Sequence, residues 1–231
     1  MRPRILHEDH EILLLDKPPG WVVTSAATTA STKTVQDWLR ESFKYPLSED
    51  IGARSGLVHR LDKETSGVLV VAKTREAFLD LQAQFKKRIT EKVYIALVHG
   101  VIDENGEVNA PVGRLPWNRK RFGVLAGGRE AYTRYEIFQN FNGYTLLSVS
   151  PRTGRTHQIR VHMRHIGHAI VSDELYAGRK TARADRQWCP RLFLHAKSLS
   201  LLHPHTGERV EFSSPLPADL KLALKALEMR N

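Results

Sequence analysis

Two short segments of this chain combine residue types that could carry out catalysis. The first, residues 59–67, reads HRLDKETSG and places Asp62 two residues after Arg60. An aspartate on a connection between two strands, here predicted at 57–60 and 68–72, can be held rigidly at a cleft. Most aspartates in such places are ordinary solvated carboxylates. The spacing alone therefore leaves both interpretations of Asp62 open.

The second segment, residues 153–162, reads TGRTHQIRVH. Its Thr-Gly pair predicts a turn, and a helix is expected to begin at about Thr156. Arg155, just before that helix, could pair with a carboxylate and hold it ionised and oriented. It could equally grip a phosphate group without any catalytic partner.

Other kinds of catalytic site are not indicated. The sequence has no phosphate-binding G-x-x-x-x-G-K-[ST] loop, no dinucleotide-binding G-x-G-x-x-G and no G-x-S-x-G nucleophile elbow. Arginines stand between four clustered histidines and no H-E-x-x-H is present, which favours a cationic surface over a metal site; these are His157, His162, His165 and His168. The single cysteine, Cys189, is expected to be a small buried hydrophobic residue. We therefore expect neither a metal nor a cofactor.

The charge balance indicates a polyanionic partner. The 35 Lys and Arg residues outnumber the 25 Asp and Glu residues, for a net charge of +10 at pH 7. Nucleic acid is the first interpretation of such an excess, and an anionic membrane surface is the second. Two basic stretches, 114–122 and 179–188, are predicted to be charged loops. No apolar run is long enough to span a membrane and the N-terminus lacks a signal-peptide pattern, so we expect a cytoplasmic protein.

The predicted elements indicate an α+β fold. Asn142-Gly143 predicts a hairpin, and 203–207 predicts another turn. Residues 24–34, rich in Ser, Thr and Ala, predict a surface loop. Strands are predicted at 12–16, 57–60, 68–72, 92–98, 131–138, 144–150, 192–202 and 209–212. Helical periodicity appears around 35–43, 78–85, 159–166 and 220–227, with Thr34 as the first N-cap. We expect a mixed, largely antiparallel sheet core with flanking helices.

The two segments, taken together, resemble the RluA-type pseudouridine synthases. The similarity rests on HRLDKETSGVLVVAKT and TGRTHQIRVH. Three further stretches keep the expected order: DKPPG at 16–20, KVYIA at 92–96, and RLFLHA at 191–196 with SPLP at 214–217. The similarity extends from about residue 5 to about residue 220. Ala169 and Ser172 depart from it, because the family usually has Pro and Gly at these positions.

This resemblance implies an isomerase that converts uridine to pseudouridine in structured RNA without metal or cofactor. Asp62 would be the catalytic aspartate and Arg155 its ion-pair partner. Tyr94 would stack on the uracil, Ile159 would form an apolar wall of the pocket, and Arg60 would fill the gap left by the flipped nucleotide. An ordinary core position for Tyr94 is the alternative.

The similarity begins too early in the chain to leave room for the S4-like RNA-binding domain of many family members. We therefore expect a single catalytic domain over 1–231, acting as a monomer, with no DNA partner and no membrane. A compact substrate such as a transfer RNA stem-loop is favoured, with ribosomal RNA as the other candidate. Both basic stretches are then expected to contact the RNA backbone. The competing functions are a non-catalytic RNA-binding or RNA-folding protein on the same scaffold and, less favoured, a metal-dependent nuclease.

Overall fold

The computed structural model describes residues 2–24 and 33–229, with the side chains of 119 and 120 excepted. These residues divide into two compact units. The first contains residues up to 91 and 196–215, and the second contains 92–195 and the C-terminal residues from 216. Most of the predicted surface loop at 24–34, namely 25–32, lies outside the described residues.

The first unit is built on two strands that are buried on both faces. Its elements are β1 (Arg4–Glu8), β2 (Ile12–Lys17), α1 (Val35–Ser42), a single 3-10 turn (Arg54–Gly56), β3 (Ser66–Ala72), α2 (Arg75–Lys87), most of β10 (Leu194–Leu202) and β11 (Arg209–Ser213). The strands lie side by side in the order β1, β2, β3, β10, and β11 pairs with β10. The runs ILLL in β2 and VLVVA in β3 are continuously apolar because both faces of these strands are covered.

α1 begins where the sequence predicts, whereas α2 begins at Arg75, ahead of the predicted range 78–85. Thr34 is the N-cap of α1: its hydroxyl accepts the Asp37 backbone N–H, and the Asp37 carboxylate accepts the Thr34 N–H. Thr74 caps α2 in a similar way through the N–H of Ala77 (3.2 Å). Hydroxyl caps of this kind satisfy amides that the helix itself leaves without a partner.

The second unit contains four antiparallel strands and a separate hairpin. Its elements are β4 (Glu91–His99), β5 (Gly106–Asn109), β6 (Val112–Leu115), β7 (Asn118–Val124), β8 (Tyr132–Phe141), β9 (Tyr144–Pro151), α3 (Gln158–His165), α4 (Arg179–Asp185) and α5 (Ala218–Glu228). The strand order is β4, β9, β8, β5, and β6 pairs with β7 alone. A buried cluster of apolar side chains from β4, β9, α3 and α5 forms the core. Cys189 lies in that core, and burial raises the pKa of its thiol to about 11.

The expected α+β fold with a mixed, largely antiparallel sheet core and flanking helices is confirmed. Seven strand pairs of the described residues, among them β2 with β3 and β8 with β9, are antiparallel. The predicted turns at Asn142-Gly143 and 203–207 connect β8 to β9 and β10 to β11. Within the described residues no helix is long and apolar enough to cross a membrane.

Three sequence predictions are wrong. Residues 57–60 do not form a strand, because only Leu57 bridges to Val71 and the Val70 N–H donates instead to the ring of His59. The basic stretch 114–122 is not a loop but most of the β6–β7 hairpin. The stretch 179–188 is mostly the short helix α4.

Ser172 stands at a backbone position that favours glycine. Its φ is 61°, in the left-handed region. The Ser172 hydroxyl donates to the Cys189 carbonyl (2.7 Å), and its N–H donates to the Asp185 carboxylate (2.8 Å). These two hydrogen bonds stabilise a conformation that glycine adopts without strain.

Candidate active site

Asp62 and Arg60 lie in the first unit, on the connection that leads into β3. Asp62 is half-buried and Arg60 is exposed, whereas Leu61 between them is buried. The buried leucine anchors the connection, so its charged neighbours are placed at the surface of the unit. A carboxylate at such a position can face a substrate while its backbone stays fixed.

The start of this connection is held by the ring of His59. The His59 Nε2 atom accepts the Val70 N–H at 3.0 Å. The same ring stacks on Phe85, with 4.8 Å between the ring centroids and 20° between the planes. An Nε2 atom that accepts from an amide carries no proton, so this contact requires the neutral imidazole.

The end of the connection is held by a buried lysine. Lys17, at the end of β2, is 0% exposed, and its Nζ donates to the carbonyls of Pro18 (3.0 Å), Trp21 (3.0 Å) and Lys63 (3.1 Å). The Lys63 carbonyl also accepts the Gly20 N–H at 2.8 Å. The segment 16–20 is therefore attached directly to the residue that follows Asp62. The sequence indicated no role for Lys17; the available signal was its place in the DKPPG stretch, directly after the apolar run of β2.

Tyr94 and Ile159 lie in the second unit, and both contact the same apolar cluster. Tyr94, on β4 opposite Val149 of β9, is half-buried at the margin of the cluster. Ile159, near the start of α3, is a buried member of it. The structure thus brings these two predicted residues to one core, and it leaves part of the Tyr94 ring exposed.

Arg155 lies in the turn between β9 and α3, in the second unit. Its backbone N–H donates to the Gln158 side chain (3.0 Å), and its carbonyl accepts the Gln158 N–H (3.1 Å). Its Nε donates to the Glu130 carbonyl at 3.0 Å. The helix begins at Gln158, two residues later than predicted, because His157 has a left-handed backbone (φ 57°). The pairing of Arg155 with Asp62 stays a prediction.

The four clustered histidines have different surroundings. His162 is fully buried, and burial lowers the pKa of its imidazole. The Nδ1 atoms of His157 and His168 contact the Tyr176 hydroxyl and the His99 carbonyl, each at 2.8 Å. Within residues 2–24 and 33–229, no three or more His, Cys, Asp or Glu side chains group as metal ligands.

The two basic stretches have different surroundings. On the β6–β7 hairpin, the Arg114 guanidinium lies 4.9 Å from the centre of the Phe122 ring, and Trp117 at the tip is 79% exposed. On α4, by contrast, Arg179 and Arg186 both approach the Glu174 carboxylate, at 3.8 and 3.3 Å. The exposed ring of Trp117 offers a surface on which a nucleic acid base can stack.

The family model for RNA pseudouridylate synthase matches residues 11–165. The chain therefore belongs to the RNA pseudouridine synthases, a family of isomerases that act on RNA, and the predicted family and enzyme class are confirmed.

Individual relatives agree with this assignment. The chain is 41% identical to "Ribosomal large subunit pseudouridine synthase D" of Pseudomonas aeruginosa, over 96% of this chain and 71% of that protein. It is 42% identical to the protein of the same name from Nitrosomonas europaea, over 97% of this chain and 65% of that protein. This chain thus spans about two thirds of the length of these relatives.

Solved structures show the same fold. The structure titled "Human RNA Pseudouridylate Synthase Domain Containing 1" superposes with a TM-score of 0.72 at 27% identity. The match covers 93% of this chain and 84% of that chain. The structure titled "Human RNA Pseudouridylate Synthase Domain Containing 4" superposes with a TM-score of 0.73 at 23% identity. The match covers 97% of this chain and 92% of that chain.

The Lys17 contacts predict a large loss of stability in Lys17→Met. Methionine keeps the length of the side chain but removes the donor that the Pro18 and Trp21 carbonyls use. Carbonyls buried without a donor cost about 1–3 kcal/mol each, so we expect the free energy of unfolding to fall by about 2–4 kcal/mol. Urea unfolding at a constant m-value measures the difference.

Lys63→Ala is the matched control, because only the backbone carbonyl of Lys63 contacts Lys17 and its side chain is exposed. Its stability is expected to stay within about 0.5 kcal/mol of the wild type. If Lys17→Met unfolds at the wild-type urea concentration, the three carbonyl contacts do not stabilise this unit.

Proposed function

We propose that this enzyme isomerises uridine to pseudouridine in large-subunit ribosomal RNA, with Asp62 as the catalytic residue and without metal or cofactor. The observation that carries the proposal is the family match over residues 11–165, which includes Asp62, Tyr94, Arg155 and Ile159. The placement of Asp62 on a connection held by hydrogen bonds on both sides of it, at His59 and at Lys63, supports it.

The reaction breaks the C1′–N1 bond, turns the uracil and joins C1′ to C5. The proton on C5 is released and N1 takes up a proton, so the product is an isomer of the substrate. Positive charge develops at C1′ as the glycosidic bond breaks, and an ionised carboxylate stabilises or traps it. Two roles are open to Asp62: attack on C1′, or removal of the C2′ proton.

The target uridine must leave the base stack before it can react, at a cost of a few kcal/mol. Arg60, exposed on the same connection as Asp62, is proposed to fill the gap in the RNA. Tyr94 is proposed to stack on the flipped base with its ring, beside Ile159 as an apolar wall. Arg155 is proposed to pair with Asp62 and keep it ionised.

The choice of RNA follows the relatives whose names specify the large ribosomal subunit. A transfer RNA stem-loop, which the sequence favoured, is the other candidate. We further propose that residues 1–231 act as a single catalytic domain, as a monomer and in the cytoplasm. A non-catalytic RNA-binding protein on this scaffold is the competing function, and the variants below distinguish it from an enzyme.

Asp62→Asn is expected to abolish turnover while RNA binding persists. Asparagine keeps the size and polarity of the side chain but removes the charge that the developing cation at C1′ requires. Tritium release from 5-tritiated uridine in RNA reports the reaction directly, and it should fall to background. RNA affinity should change less than about threefold, which corresponds to ~0.7 kcal/mol.

Glu64→Gln is the control for Asp62→Asn, because it removes an exposed carboxylate two residues further along the same connection. It should release tritium at the wild-type rate. Substantial release by Asp62→Asn would remove Asp62 from the catalytic role. Absence of release by the wild-type enzyme on any cellular RNA would favour the non-catalytic protein.

Chelation of metal ions is expected to leave activity unchanged. The proposed chemistry uses one carboxylate and no metal-bound water, so excess EDTA at moderate salt should not lower the rate of tritium release. Circular dichroism of the RNA under the same conditions controls for its folding. Loss of activity that zinc or manganese restores, with the RNA still folded, would revive the metal site at the clustered histidines.

RNA affinity is expected to fall linearly with salt on a log–log plot, at about −0.7 to −0.9 per phosphate contacted. Replacing Arg119, Lys120 and Arg121 by Ala should flatten this slope and weaken binding to all RNAs alike. Tyr94→Ala should keep the slope and lower turnover, because this ring is proposed to contact the base and not the backbone.

A triple variant of Lys86, Lys87 and Lys221 to Ala removes the same charge from exposed positions of α2 and α5. Its slope should match the wild type. If the hairpin variant also keeps the wild-type slope, the hairpin does not grip phosphate, and α4 becomes the next candidate.

A further inference from the structure

We propose that Gln158 is a positioning residue for Arg155, acting as the junction of a buried hydrogen-bond network. The proposal rests on the proposed function, in which Arg155 is the partner of Asp62. Gln158 itself is 4% exposed, so it acts on the reaction through Arg155 and not through the substrate.

Gln158 closes the turn that carries Arg155 from both sides. Its Oε1 accepts the Arg155 N–H at 3.0 Å, and its backbone N–H donates to the Arg155 carbonyl at 3.1 Å. Oε1 also accepts the hydroxyl of Thr153 at 2.7 Å, and that hydroxyl oxygen accepts the Tyr132 N–H at 3.0 Å. One amide oxygen thus fixes both Thr153 and Arg155.

The nitrogen of the same amide fixes the turn to β8. Its Nε2 donates to the Tyr132 carbonyl (3.0 Å) and to the hydroxyl oxygen of Thr133 (2.9 Å). A carbonyl only accepts and a backbone N–H only donates, so these contacts allow one orientation of the amide. Every polar atom of the Gln158 side chain is therefore used, and no other residue type supplies the same set of contacts.

The network continues to His162, whose ring determines which groups of the network donate and which accept hydrogen bonds. The His162 Nε2 lies 3.0 Å from the Ala110 carbonyl and must donate to it, and its Nδ1 lies 2.9 Å from the Thr133 hydroxyl. A neutral ring that donates from Nε2 accepts at Nδ1, so Thr133 donates to His162 and accepts from Gln158. Burial lowers the pKa of His162, which favours this neutral form.

A network that is buried and fully satisfied holds its members in one arrangement. The arrangement places the Arg155 backbone, and the bond from Nε to the Glu130 carbonyl then fixes the base of its guanidinium. A displacement of about 1 Å at a positioned group can lower a rate about a hundredfold. The effect is expected in the rate at saturating RNA, because the phosphate contacts that hold the RNA are proposed to lie on the β6–β7 hairpin.

The first test is Gln158→Met, made in the wild type and in Arg155→Lys. Methionine matches the volume of glutamine and removes all four side-chain contacts. In the wild type, the single-turnover rate of tritium release at saturating RNA should fall about 10- to 100-fold, with RNA affinity changed less than about threefold. In Arg155→Lys the same substitution should lower this rate less than about threefold. The flexible ammonium group of lysine lacks the planar set of donors that the fixed guanidinium presents.

The second test compares two identical substitutions, Thr133→Val and Thr145→Val. Thr133 on β8 and Thr145 on β9 are both fully buried, and each hydroxyl has two hydrogen-bond partners. Only Thr133 is connected to Gln158. Both variants should lose stability, whereas only Thr133→Val should lower the saturating rate, by roughly tenfold. This pair remains decisive if Gln158→Met does not fold.

The outcomes separate this proposal from the proposed function. If Gln158→Met lowers the rate by the same factor in both backgrounds, or if Thr133→Val and Thr145→Val lower it equally, the network is merely structural and the proposal is wrong. If Arg155→Lys alone keeps the wild-type rate, the role of Arg155 in the proposed function fails instead.

Discussion

The connection that carries Asp62 depends on the buried ammonium of Lys17, which binds the backbone carbonyl of the next residue, Lys63. A charged group that is 0% exposed must be hydrogen-bonded throughout, and three backbone carbonyls satisfy it. One of them belongs to Lys63, the residue after Asp62. The lysine therefore connects the end of β2 to the candidate catalytic connection.

In the second unit, a neutral side chain holds the backbone of a candidate site residue. There an amide, Gln158, holds the turn of Arg155 through its oxygen and the strand β8 through its nitrogen. Asp62 and Arg155 are both half-buried, whereas Lys17 and Gln158, which hold their backbones in place, are buried. Fully satisfied polar groups of this kind contribute little net stability, but they select one arrangement of the backbone.

Local signals in the sequence predict much of the fold. Thr34 marks the beginning of α1 because a hydroxyl cap needs only neighbouring amides, and Asn142-Gly143 marks the β8–β9 hairpin for a similar reason. The sequence wrongly predicted a strand at 57–60 and indicated no role for Lys17. Both depend on contacts with residues further along the chain, such as Val70 and Lys63. The network from Gln158 to Thr133 joins residues 25 positions apart, which periodicity does not reveal.

The most direct test of the central claim is a map of pseudouridine in total RNA from cells that carry the wild-type gene, the Asp62→Asn gene or no gene. The account predicts at least one position in large-subunit ribosomal RNA that is pseudouridine only with the wild-type gene. A position in transfer RNA alone would keep the chemistry and change the substrate. Identical maps from all three cells would contradict the claim that this chain is a pseudouridine synthase that acts through Asp62.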